Sequence, residues 1–174
     1  DRVASRGLGD VYKRQHPLFV VVGAHQQQLL PLINPAITEL VINSKWNNGM
    51  GTSIAVGIKT VLKRVPNALG VLILLVDQPL IDRDYLSSFF FRYRPNKKQI
   101  IASSYEDGRL GVPALFDAFY FKELLQLSKD RGAKKLIEKY KNQVVNISGG
   151  SLLTDVDTPE EYRDLLVKYV PNPQ

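Results

Sequence analysis

Cysteine is missing altogether from the 174 residues, which excludes a disulfide scaffold and thiol catalysis and fits a cytoplasmic location. Histidine is nearly as scarce, and His16 and His25 alone leave no His-rich metal cluster. No apolar run reaches the ~18 residues that a membrane span needs, and no secretory pattern opens the chain, so neither a membrane nor export is expected. Internal repeats and low-complexity tracts do not occur. Positive charge is in excess, with 23 Lys and Arg against 17 Asp and Glu and a net charge of +6, yet it is not concentrated. It falls at Lys63-Arg64, Arg92 to Lys98 and Lys129 to Lys141, interleaved with acids. A dispersed balance of this kind suits a protein that handles phosphorylated small molecules better than one that tracks nucleic acid. What remains is a 44% hydrophobic chain long enough for one domain with its own core.

The most apolar stretch is Gly70-Val71-Leu72-Ile73-Leu74-Leu75-Val76, followed abruptly by Asp77-Gln78-Pro79. A continuous β-branched and leucine run predicts a central parallel strand covered by helices on both faces. Ligands of open α/β sheets bind outside the carboxyl ends of such strands. Asp77 therefore has two readings that stand about equal: a magnesium ligand, or the cap of a turn that Pro79 stiffens.

Upstream, His16 to Gly23 reads as a buried strand and Gln26 to Ile33 as a short helix ended by Asn34-Pro35. Glu39 to Asn43 is a second short strand. The polar loop Asn43 to Ser53, punctuated by Gly49 and Gly51, leads into a helix with Ile54, Ile58, Val61, Leu62 and Val65 at helical spacing. Thr52 or Ser53 is expected as its N-cap. Backbone amides at that helix start, beside small residues, could approach a nucleotide; an ordinary capped loop is the alternative, with Trp46 and Met50 expected in the core. Downstream, Asp82 to Arg94 is a helix, Gln99 to Tyr105 a strand, and Asp107-Gly108 a hairpin signal. Leu110 to Phe116 returns as a strand whose Pro113 predicts an edge position or a segment lining a cleft. Gly111 would let a ligand come close there, though a plain hairpin explains the same residues. Helices follow over Asp117 to Leu127 and Gly132 to Lys141, then a strand from Gln143 to Ile147. Thr158, Pro159 and Glu161 form a capping box for the last helix. Asp155 and Asp157, just before it, either favour the positive helix start or add oxygen ligands to a metal on Asp77. Strands alternating with helices predict a three-layer α/β sandwich, mainly parallel, with one antiparallel strand from the hairpin.

Five ordered motifs carry a resemblance: Asn43-x-x-Trp46-x-x-Gly49-Met50-x-x-Ser53-x-x-x-Gly57; Leu75-Val76-Asp77-Gln78-Pro79; Gly111-x-Pro113-x-Leu115-Phe116; Asp130-x-Gly132-Ala133-Lys134; and Asp155-Val156-Asp157-Thr158-Pro159-Glu160. Over about Leu18 to Tyr169 the chain resembles the MobA-like nucleotidyltransferases, most closely the molybdenum cofactor cytidylyltransferase branch. The resemblance implies a Rossmann-like nucleotide-diphospho-sugar transferase fold. It implies transfer of a nucleoside monophosphate, CMP favoured, from a nucleoside triphosphate to a phosphorylated acceptor such as molybdopterin, with pyrophosphate leaving. Mg2+ is the implied cofactor, held by Asp77 with Asp157 as first choice for the second ligand and Asp155 behind it. Gly49, Met50, Gly51, Thr52 and Ser53 would contact the nucleotide, and Gly111, Val112 and Pro113 the acceptor. CTP, a phosphorylated pterin and contact with a molybdoenzyme or maturation factor are the implied partners, with no nucleic acid and no membrane. A sugar-phosphate nucleotidyltransferase and a catalytically incomplete nucleotide-binding module are the alternatives.

One departure sets further expectations. The family's opening strand, its Leu-Ala-Ala-Gly-x-Ser-x-Arg-Met-Gly loop and the following lysine have no match here. Residues 1–15 are accordingly expected to be a non-native or disordered tail on a single domain spanning 16–174, and the chain as given to be inactive or very weak.

Overall fold

The computed structural model describes residues 17–129 and 132–169 of the chain. The expected tail over residues 1–15, and Asp130 of the fourth motif, lie outside the described residues.

The apolar run Leu18–Val22 forms β1, which pairs in parallel with β2 (Thr38–Ile42), Val20 lying opposite Leu40. Between them α1 (Gln26–Leu29) continues as a 3-10 turn, Leu30–Leu32, and ends at an extended Ile33 ahead of Asn34-Pro35. The long helix α2 (Met50–Arg64) lays Gly57 against the Val21 side chain of β1 and buries Ile58 and Val61. A second sheet contains β3 (Gly70–Ile73), β4 (Ile100–Ser104), β5 (Leu110–Asp117) and β6 (Val144–Ser148) in the order β3-β5-β4-β6. β5 runs antiparallel to both β3 and β4, whereas β6 is parallel to β4, so β5 alone opposes the common direction of this sheet.

Alternation along β4 and β5 separates two cores, as a sheet covered on both faces requires. Ile100, Ala102, Ala114 and Phe116 face Ile58 of α2, Phe121 and Leu124 of α4 (Phe121–Leu124), and Leu136 and Ile137 of α5 (Ala133–Lys139). Ile101 and Leu115 face the other way, against Tyr85 and Phe89 of α3 (Arg83–Arg92), Ile147 and Leu153. The result is the expected mixed α/β three-layer arrangement. α6 (Pro159–Tyr169) closes the described chain, with Glu161 Oε2 accepting from the Asp157 and Thr158 amides and the Thr158 hydroxyl accepting from Glu161, the expected capping box.

Several local expectations are corrected. The apolar run at 70–76 is ordered as strand for only four residues and, among the described residues, pairs with β5 alone at the end of its sheet, while Leu74 and Val76 are exposed. Apolarity alone does not distinguish a strand paired on both sides from one whose neighbour is on one side. Pro113 lies in an interior strand, not at an edge. The register shifts between Ala102 and Ser103, and this irregularity leaves Val112 and Pro113 outside the paired positions, where the missing proline N–H removes no ladder bond. The freed carbonyls are satisfied by side chains: Ser103 Oγ donates to Pro113 (2.8 Å) and the Tyr105 hydroxyl to Val112 (2.9 Å). Helix α2 starts at Met50 with Gly49, at φ 96°, as its N-cap, so neither Thr52 nor Ser53 caps it. Thr52 sits in the first turn and donates its hydroxyl back to the Gly49 carbonyl at 2.8 Å. Trp46 and Met50 are half exposed rather than core; Trp46 packs against the bare backbone of Gly23, where a Cβ would lie 2.4 Å from the Trp46 Cβ, and Met50 lies over Gly132. Asp117 ends β5 and, as expected, opens the next helical segment: buried, it caps the 3-10 turn Ala118–Tyr120 that leads into α4, its carboxylate accepting from the amides of Phe119 (3.0 Å) and Asn96 (2.9 Å).

Candidate active site

Asp77 follows the end of β3 by a few residues, and the chain there is bound to a segment far away in sequence. The Val156 amide donates to the Asp77 carbonyl at 2.8 Å. That single backbone bond sets Asp155 and Asp157, the residues on either side of Val156, beside Asp77. Their charges register on it. Burial first, then the Asp155 and Asp157 carboxylates, push the Asp77 carboxyl above the ordinary aspartate range, against the opposing pull of its own backbone amide. Oδ1 of Asp77 is buried and has no hydrogen-bond partner. An acidic oxygen desolvated, unpartnered and crowded by like charge is what a cation would relieve.

Among the described residues, no three His, Asp or Glu side chains are gathered tightly enough to form a ready metal cage. Magnesium at phosphate-handling sites takes one or two carboxylates and completes its shell with waters and substrate phosphates. The buried, unpartnered oxygen of Asp77 is the feature here that suits a divalent cation arriving with an anionic ligand.

Gln78, next to Asp77, is buried and extends the join. Its Nε2 donates to Oδ1 of Asp155 (2.9 Å) and to the Tyr105 hydroxyl (2.8 Å). Tyr105 in turn reaches Val112, and its ring fills the space over Gly111, where a Cβ would lie 2.9 Å from the ring edge. Burial raises the Tyr105 phenol above its usual range. Of the three residues expected on the acceptor side, Gly111 and Val112 stay half-buried and linked to Asp155 through this chain, whereas the Pro113 side chain is buried in the sheet.

Gly49 and the first turn of α2, which begins at Met50 rather than after Thr52 or Ser53 as expected, are anchored separately. Asn43, buried at the end of β2, donates to the Thr52 and Ser53 hydroxyls (2.9 Å each) and accepts from the Lys45 amide (3.0 Å). The Gly51 amide donates to the Lys129 carbonyl at 2.9 Å, and Met50 lies over Gly132, which brings the fourth motif against the start of α2. Asn43, Gln78 and Tyr105 are the site residues that sequence reasoning left without a role. The first two sit inside quoted motifs; Tyr105, an aromatic at a strand end before a turn, carries no sequence signal.

Two hollows lie away from the acidic group. One hollow of about 250 Å³ lies between the hairpin turn at Asp107–Arg109 and Lys134 and Glu138 of α5, and another of about 330 Å³ lies beside Glu123 and Lys139. Neither of these two includes Asp77, and the candidate site is defined by the buried, unpartnered Asp77 oxygen and its join to the 155–157 segment. No helix among the described residues is long and apolar enough to cross a membrane.

Comparison with known proteins places these features. Residues 7–144 match the family model described as the MobA-like NTP transferase domain. Nicotine blue oxidoreductase of Paenarthrobacter nicotinovorans is 28% identical over 158 residues, covering 87% of this chain and 76% of that protein. Rv0371c of Mycobacterium tuberculosis H37Rv superposes with a TM-score of 0.69 at 27% identity, over 91% of this chain and 80% of that one. Its manganese complex superposes with a TM-score of 0.68 at 26% identity, over 91% and 82% of the two chains. The 4-diphosphocytidyl-2C-methyl-D-erythritol synthase of Anaerococcus prevotii DSM 20548 shares the fold, with a TM-score of 0.66 at 12% identity over 91% of this chain and 83% of that one.

Proposed function

Because the chain belongs to the MobA-like NTP transferase domain family, a nucleotidyltransferase family, we propose that it moves CMP from CTP to a phosphorylated pterin acceptor of the molybdopterin type. An acceptor phosphate oxygen attacks the α-phosphorus of the nucleotide. The bond from that phosphorus to the oxygen bridging to the β-phosphate breaks, and pyrophosphate leaves with the electron pair. Such transfers depend mainly on alignment and on neutralising charge.

The observation that carries this reading is the buried, partnerless Oδ1 of Asp77 next to the Asp155–Asp157 segment, which the Val156 amide ties to the Asp77 carbonyl. Asp77 would hold the divalent cation, with Asp157 or Asp155 as its second carboxylate. Mg2+ is the ion proposed; the solved relative Rv0371c has been crystallised with manganese, which prefers the same oxygen donors. When bound, the ion offsets phosphate charge and orients the triphosphate. The chain's own residues do the rest. Gly49 and the first turn of α2, held in shape by Asn43, receive the nucleotide, and Gly111 and Val112 flank the acceptor.

Binding of CTP, GTP and UTP by calorimetry, with and without Mg2+, tests the reading. CTP is expected to bind best and only with metal, and Asp77→Ala to abolish it. Pyrophosphate release with phosphorylated pterins set against sugar phosphates then assigns the acceptor. Release that is stimulated by a sugar phosphate alone would replace the pterin.

A further inference from the structure

A primary amide is costly to bury unless its polar atoms find partners. Gln78 is 4% exposed, and its two N–H groups are both placed: one on the Tyr105 hydroxyl at 2.8 Å, the other on Oδ1 of Asp155 at 2.9 Å. An ionised carboxylate only accepts, so the Asp155 contact fixes which way the amide points. Tyr105, already accepting from Gln78, must donate onward, and does so to the Val112 carbonyl at 2.9 Å. The bonds thus have one consistent sense, outward from Gln78 to the acidic segment on one side and to the hairpin on the other. Oε1 of Gln78 is buried and without a partner. For packing alone, an apolar side chain of the same length would serve better, since it would leave no unsatisfied carbonyl.

The backbone bond from Val156 to Asp77 locates the acidic segment but leaves the side-chain torsions of exposed Asp155 free. Gln78 removes that freedom. Asp157 is treated differently: its amide is engaged by Glu161 in the cap of α6. We propose that Gln78 is a positioning residue that aims the Asp155 carboxylate at the cation held by Asp77 and, through Tyr105, keeps it in register with Val112 on the acceptor side. This rests on the metal-dependent nucleotidyltransferase reading above. It makes Asp155, rather than Asp157, the carboxylate coupled to Asp77 and to the acceptor strand.

The test is a Mn2+ titration of the chain, read by the electron paramagnetic resonance of free Mn2+ and accompanied by thermal unfolding of every variant. Asp77→Asn is expected to abolish the site. Gln78→Met, which keeps the length and removes the donors, should weaken Mn2+ binding about 10–100-fold, the usual loss for a residue that orients a ligand, while the unfolding midpoint holds or rises. Gln78→Glu, which sets a carboxylate against Asp155, should lose as much. Tyr105→Phe should lose less, because Asp155 keeps its donor. If Gln78→Met fails to fold, Gln78→Glu gives the same reading with the side-chain shape retained. Mn2+ affinity within about twofold of the unaltered chain in the folded Gln78 variants, with Asp77→Asn inactive in binding, overturns the positioning role and leaves the proposed function standing. Asp77→Asn binding Mn2+ normally, or an unaltered chain that binds none, overturns both.

Discussion

The Asp77 carbonyl accepts the Val156 amide at 2.8 Å, and this backbone bond, beside the Gln78 amide on Asp155, brings two distant acidic segments to one corner of the molecule. Val156→Pro deletes the donor and restricts Asp155 before it. A loss of about 1 kcal/mol or more is expected, seen as a fall of about 2–4 °C in the unfolding midpoint. An unchanged midpoint would mean that the segments are not held this way.

Asn43 ties the loop ahead of α2 to the first turn of that helix, with two hydroxyls and one amide depending on its side chain. Because it is buried, Asn43→Ala leaves several polar groups without partners, and a destabilisation of about 2–3 kcal/mol is expected from chemical denaturation. Nucleotide binding should weaken with it, since Gly49 to Ser53 lose their common anchor.

Asp77 is placed for chemistry at a cost to the fold. Burial and two neighbouring carboxylates disfavour its charged form. Asp77→Asn removes the charge and keeps the shape, so the metal-free protein should gain stability at neutral pH, a rise on the order of 2 °C. A destabilised variant would show that the carboxylate serves as an ordinary structural cap.

Glu123 behaves oppositely. Its carboxylate accepts from Lys139 Nζ (2.6 Å) and the Tyr140 hydroxyl (2.5 Å), and these bonds hold it below the ordinary glutamate range. A depressed folded pKa gives stability that is present above the unfolded value and is lost as pH falls through the folded one. Unfolding midpoints measured from about pH 5 down to pH 3 should therefore fall more steeply for the unaltered chain than for Glu123→Gln. Parallel curves would remove Glu123 from the acid response.

Much of this was legible in the sequence because it depends on local patterns. The periods of Leu18–Val22 and of Ile54 to Leu62 specify a strand and a helix by themselves, and Thr158-Pro159-x-Glu161 writes its own cap. The placing of Pro113 was not legible, since a proline is tolerated inside a sheet only where the partner strand shifts register, and that shift belongs to Ala102 and Ser103. Trp46 reads as a core residue by composition, but it packs half exposed against a glycine in another loop. The role of Gln78 depends on contacts to Tyr105 and Asp155, neither of them near it in sequence. Proximity of Asp77 to Asp155 and Asp157 follows from the fold, and no spacing rule contains it.

The central claim is that these carboxylates hold a divalent ion for a nucleotide, and CTP titration calorimetry with and without Mg2+ addresses it most directly. Heat of CTP binding that requires Mg2+ and vanishes in Asp77→Ala is the result predicted. CTP bound equally well without metal, or by Asp77→Ala as by the unaltered chain, would contradict it.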